Sequence, residues 1–89
     1  MSTKSFKLDT NEWTELSTKT DLVNDKVYAI QPSKYTLYFY QGENAPTKDD
    51  YGIGVDPSGY IKFRNMDNLP CYVRVLYPEI TVITISDVL

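Results

Sequence analysis

YTLYFYQ, residues 35–41, is the stretch that decides the fold class of this chain. It is crowded with aromatic residues, carries no apolar stripe at helical spacing, and follows Pro32 closely, so it reads as a β-strand. A strand sends alternate side chains to opposite faces. Tyr35, Leu37 and Phe39 therefore share one face, and Thr36, Tyr38 and Tyr40 share the other. Leu37 and Phe39 are the expected core pair. The rings of Tyr38 and Tyr40 then point away from the core, and an aromatic strand face left in water is an aggregation hazard. What those rings touch is the question the stretch sets.

Outward from it, the same alternation marks five more strands: WTEL (13–16), KVYAIQ (26–31), YIKFR (60–64), CYVRVLY (71–77) and ITVITIS (80–86). Pro32 ends KVYAIQ because proline has no N–H for a ladder, and the short link PSK suits a tight hairpin into YTLYFYQ. Residues 42–59 hold Pro46, Gly52, Gly54, Pro57 and Gly59 and end in the turn signal DPSG, which predicts one long loop. The best helical candidate, TELSTKTDLV (14–23), is Thr-rich and has no sustained apolar stripe. About six short strands predict an all-β domain over 13–89, a small antiparallel β-sandwich or partly closed barrel. Residues 1–12 precede it either as a loose tail or as an extended arm that lays Phe6 and Leu8 on a neighbouring subunit.

Alternation also assigns faces. Ile61 and Phe63 point in while Tyr60, Lys62 and Arg64 point out, and Cys71, Val73 and Val75 point in while Tyr72 and Arg74 point out. ITVITI breaks phase between Val82 and Ile83. Either a β-bulge restores one face, or the strand is buried on both faces with a partner chain covering one. The outward set is Tyr38, Tyr40, Tyr60, Tyr72 and Arg74, and Tyr and Arg are enriched at the centres of protein interfaces. The competing reading is that these rings shield a twisted sheet by pairing across strands.

Catalytic chemistry is not expected. The 89 residues contain no histidine, which removes the commonest general base and the Ser-His and Cys-His pairs. Cys71 is the lone cysteine, mid-strand with an inward phase, and reads as a structural thiol in a reducing compartment. Asp49, Asp50 and Asp56 lie among glycines, but their spacing misses the calcium-loop pattern. GIG (52–54) lacks the phosphate-loop signature. Trp13 reads as a core anchor, or alternatively as a platform for a sugar ring. The net charge is −3 with lysines and arginines scattered singly, so nucleic acid is not an expected partner. No apolar run approaches the ~20 residues a membrane helix needs, and MSTKSFKLDTNEW (1–13) has no apolar core after its lysines to make a secretory signal. No cofactor or metal is expected.

WTELSTKTDLVNDKVYAIQ (13–31) resembles the opening of many small tailed-phage virion proteins, which begin with a Trp, a Leu and a Thr-rich link before a strand of V-x-x-K/G-x-Y-x-I-Q type. YFYQGENAPT (38–47) and GYIKF (59–63) are similar to the continuation in that group, so the resemblance spans roughly residues 13–64. It implies a non-enzymatic β-rich structural component: a capsid decoration protein, a head or tail accessory protein, or a fibre domain. Such proteins are made in the host cytoplasm, reside in the virion, form trimers or other small oligomers, and dock on the major capsid protein or other virion proteins. By position, Trp13, Leu16, Val27, Tyr28 and Ile30 correspond to framework residues. NDK (24–26) stands where the group has an Asn/Ala-Gly-Lys turn, and Asp25 accommodates positive φ less readily than glycine does. Under this reading Tyr38, Tyr40, Tyr60, Tyr72, Arg74, Phe6 and Leu8 form the docking surface. The alternatives are a phage-encoded inhibitor of a host protein and a carbohydrate-binding module.

Overall fold

The alternation extends over eight strands in a computed structural model of the chain, which describes residues 3–8, 12–47, 50, 52–75 and 81–88. The strands are β1 (Thr3–Leu8), β2 (Thr14–Glu15), β3 (Val27–Pro32), β4 (Leu37–Gln41), β5 (Ile53–Val55), β6 (Ile61–Arg64), β7 (Cys71–Val75) and β8 (Thr81–Val88). One 3-10 turn, Leu16–Thr18, follows β2. Two four-stranded sheets result, a first sheet in the order β1-β8-β3-β6 and a second in the order β2-β7-β4-β5. Every pairing is antiparallel.

That order has a simple origin. Thr3 lies opposite Ser86, Thr14 opposite Val73, Val27 opposite Arg64, and Leu37 opposite Val55. As one half of the chain advances the other recedes, so the molecule is one long two-stranded ribbon with its tip at the β4–β5 hairpin. The ribbon folds back on itself, setting β8 beside β3 and β7 beside β4. A ribbon wrapped this way is a jelly roll, the eight-stranded double Greek key. Its inner faces meet in one core of Leu8, Tyr28, Ile30, Phe63, Ile83 and Ile85 from the first sheet, and Leu16, Leu37, Phe39, Val55, Cys71, Val73 and Val75 from the second sheet and its 3-10 turn. Phe39 and Phe63 meet across the gap with ring centroids 5.0 Å apart. Each such buried side chain contributes ~1.5–3 kcal/mol.

Both halves of the ribbon change sheet together, and the corners are bonded. At the corner between β2/β7 and β3/β6, Asp25 N–H donates to the Asn65 carbonyl (2.6 Å) and Asn65 N–H to the Lys26 carbonyl (2.8 Å). Asn65 Nδ2 donates to the Val23 carbonyl, Asp67 N–H to Asn24 Oδ1, and Gln41 Nε2 to the carbonyls of Arg64 and Leu69. Asp25 takes φ 67° here, the left-handed conformation for which the resembled turn has glycine. Asp is among the few residues that adopt it tolerably. At the next corner Gln31 Nε2 donates to the Pro57 carbonyl and Thr36 Oγ1 to Asp56 Oδ1, while Gly59 N–H closes the DPSG turn on the Asp56 carbonyl.

Several expectations are corrected. The strands number eight, not about six; the additions are β1 and β5. Residues Thr3–Leu8, expected as a loose tail or an arm to a neighbour, pair with β8 of their own chain. Phe6 packs against the core and Leu8 is fully buried in it, because their inward parity matches that of Ile83. KVYAIQ and YTLYFYQ do not form a hairpin: β3 and β4 belong to different sheets. The link turns the chain out of plane at Tyr35, which has φ 65°. In β8 no bulge occurs, since the register with β1 runs unbroken from Thr81 to Ser86. Ile83 and Ile85 point in and Val82 points out. β8 is an interior strand, covered on both edges by β1 and β3. Ile80, Leu76, Tyr77 and Asp49, which figured in the sequence reading, lie outside the described residues.

Candidate functional site: the aromatic face of the second sheet

The outer face of the second sheet is built in cross-strand rows. Glu15, Tyr72 and Tyr40 occupy one row across β2, β7 and β4, and Arg74, Tyr38 and Gly54 the next across β7, β4 and β5. Trp13 immediately precedes β2 and extends the same parity beside Arg74. The Arg74 guanidinium lies 5.4 Å from the centroid of the Trp13 ring, a cation–π contact worth ~0.5–1 kcal/mol at a partly exposed site. Trp13 and Tyr40 have centroids 6.1 Å apart at an interplanar angle of 60°.

The loop before β5 folds onto this surface. Trp13 Nε1 donates to the Thr47 carbonyl at 3.1 Å. Asp50 Oδ2 accepts from Thr47 N–H at 2.8 Å and from Thr47 Oγ1 at 3.3 Å, closing a local turn. Gly52 has φ +67°, and a Cβ there would fall on the Phe39 carbonyl oxygen and 3.2 Å from Trp13 Cη2, so the indole and backbone approach as only glycine permits. The Tyr40 ring covers Gly42, where an added Cβ would lie 2.9 Å from Cε1, and the Tyr38 ring flanks Gly54.

Of the seven residues expected at the docking surface, the structure gathers four: Tyr38, Tyr40, Tyr72 and Arg74, all partly buried on this face. Tyr60 stands immediately before β6 of the other sheet, 61% exposed. Phe6 is partly buried against the core, and Leu8, at 0% exposure, has no surface to offer a partner. Trp13 was missed as a member and misassigned to the core. In WTEL it shares parity with Glu15 and opposes Leu16, which is buried at 1% exposure, so the period-two alternation of the strand places Trp13 outside. The indole is engaged by Arg74, Tyr40, Gly52 and the Thr47 carbonyl, and Arg74 already occupies one face on which a sugar ring would stack.

Cys71 is buried and free, and loss of hydration pushes its thiol up to about 12, far from the thiolate a nucleophile needs. It borders a depression of about 330 Å³ at the β6–β7 corner, shared with Leu16, Leu22, Met66, Glu15 and Asp67. Asp56 accepts from Thr36 and Asp50 from Thr47. Among the described residues no three His, Cys, Asp or Glu side chains group as metal ligands, and no helix is long and apolar enough to cross a membrane. No family model, curated protein or solved structure matches this chain.

Proposed function

We propose that the chain is a non-enzymatic structural protein of a tailed-phage virion, a capsid decoration or head/tail accessory subunit. It docks on the major capsid protein or a neighbouring subunit through the aromatic face of the second sheet. The observation that carries this reading is the cluster of Trp13, Tyr38, Tyr40, Tyr72 and Arg74 on one sheet face, held by mutual contacts and by a clasped loop. Rings already fixed lose little entropy on binding, and preorganised Tyr, Trp and Arg are the usual anchors of protein interfaces. Jelly rolls build viral capsids and lectins alike, so fold alone does not choose between them. The engaged indole favours a protein partner over a glycan.

The test is to count copies of this chain against the major capsid protein, by quantitative mass spectrometry of purified particles of the encoding phage. A fixed ratio is expected, and Tyr38→Ser combined with Tyr40→Ser is expected to lower it while the purified variant keeps its β-sheet circular dichroism. Absence from particles, with abundance in infected cells, would overturn the reading in favour of an inhibitor of a host protein.

A further inference from the structure

A sandwich of two open sheets has four lateral edges, and three of them carry charge. β1 holds Lys4 and Lys7, β6 holds Lys62 and Arg64, and β2 holds Glu15. Charged side chains on an edge strand are a common device against pairing with another chain. The fourth edge, β5, reads Ile53-Gly54-Val55 with no charge. It is hydrogen-bonded to β4 on one side and, among the described residues, has no strand on the other. Ile53 shares the inward parity of Phe39, its neighbour in register, yet remains 58% exposed. Beside it lies a groove of about 240 Å³ between β5 and β6, lined by Ile53, Val55, Tyr60 and Ile61 along with the polar Asp56 and Ser58. Two of the four most exposed large apolar side chains among the described residues, Ile53 and Tyr60, meet there.

We infer that the β5 edge pairs antiparallel with the β5 edge of a second copy of this chain, about a two-fold axis at Gly54. Charge selects the occupant. Antiparallel self-pairing of β1 in full overlap would set Lys4 against Lys7, of β6 about Phe63 would set Lys62 against Arg64, and of β2 about Glu15 would set the two glutamates together; like charges across a ladder are destabilising. At β5 the two-fold sets Gly54 opposite Gly54, Ile53 opposite Val55, and Gly52 opposite Asp56, so no like charges meet although each copy carries −3. Gly54 presents no side chain at the axis, where the strands approach most closely. The contact is isologous and closes after two copies. It joins the two second sheets into one sheet of eight strands and brings the Ile53 and Tyr60 side chains of both copies under mutual cover. The pairing differs from the three-fold assembly implied by the phage resemblance, and it stands whether or not the chain resides in a particle.

Register-specific cross-linking tests it. Gly54→Cys introduces a side chain into ordinary contact distance of Thr36 and Tyr38, and Cys71 is buried. Under mild oxidation Gly54→Cys is expected to form a disulfide-linked dimer about tenfold faster than Ile53→Cys, because only at the axis does a residue face its own copy within disulfide reach. Sedimentation equilibrium of the unmodified chain from micromolar to millimolar concentration is expected to show monomer and dimer. Ile53→Lys is expected to abolish the dimer with its melting curve unchanged, whereas Val23→Lys, at an equally exposed site away from the groove, leaves it intact. A monomer throughout the range, a trimer, or equal cross-linking of both cysteine variants would overturn the inference.

Discussion

The two outer faces of this sandwich are finished by opposite means. The first sheet shows water mostly small and hydrophilic side chains, Thr3 and Ser5 of β1, Thr84 and Ser86 of β8, Ala29 and Gln31 of β3, Lys62 and Arg64 of β6, with the apolar Val82 of β8 among them. Hydroxyls meet across the β1–β8 ladder, Thr3 with Ser86 at 3.1 Å and Ser5 with Thr84 at 3.4 Å, and water serves whatever they leave open. The second sheet shows rings, which water does not serve, and its own chain covers them in part. Trp13 reaches over from the start of β2, Arg74 lies on the indole, and the loop after β4 is tied down by one indole hydrogen bond. An aromatic outward face therefore need not wait for a partner to be stabilised. The rings of YTLYFYQ touch first the residues of their own sheet, and whatever docks there meets a surface already ordered.

The sharpest way to break this contrast is at Gly52. Gly52→Ala forces a side chain into left-handed backbone and onto the Phe39 carbonyl, and is expected to destabilise by about 3 kcal/mol, read from the denaturation midpoint. A chain of this size has little margin, so partial unfolding at room temperature is the expected sign. Next comes Trp13→Ala, which removes the clasp and half-buried ring contacts. About 2 kcal/mol is expected from lost ring contacts, area and one hydrogen bond, with faster hydrogen exchange at Thr47 as the local signature.

A smaller effect separates interior from surface through pH. Burial raises the Cys71 thiol from 9.0 to about 12, and a hydrogen bond to Asp87, 2.8 Å away, raises Lys26 above its usual 10.5. Both groups hold their protons more tightly when folded, so their stabilisation is intact at neutral pH. It is lost as pH rises, for Cys71 between 9.0 and about 12 and for Lys26 above 10.5. Denaturation midpoints are expected to fall over that window, less steeply in Cys71→Ala. The smallest effect is on the hydroxyl face, where Thr84→Val keeps the β-branched shape and removes only an exposed hydrogen bond. A change within about 0.5 kcal/mol is expected, and a loss approaching that of Trp13→Ala would dissolve the contrast between the faces.

Much of the candidate site was legible. Tyr38 and Tyr40 alternate with Leu37 and Phe39, and Tyr72 and Arg74 with Cys71, Val73 and Val75, so both outward pairs follow from parity. Their meeting in adjacent rows follows from the β4–β7 register, which parity cannot supply. Tyr60 looked equivalent by the same rule and ended just before β6 of the other sheet, because the DPSG turn carries the chain across the sandwich. β1 escaped because Lys4 occupies an inward position opposite Ile85 and leaves only Phe6 and Leu8 to show the alternation, and β5 because three residues among glycines show too few alternations to count.

Alternation is a property of each strand alone. Local pattern therefore sets the β class and the inward residues Leu37, Phe39, Phe63, Cys71, Val73 and Val75, since a pleated backbone must send them to one side. Which sheet each strand joins was decided only in three dimensions. It depends on corners bonded between segments about forty residues apart, Asp25 with Asn65 and Asn24 with Asp67, and on left-handed turns at Asp25 and Tyr35. Such pairings exist only once the ribbon has folded, and no local pattern carries them.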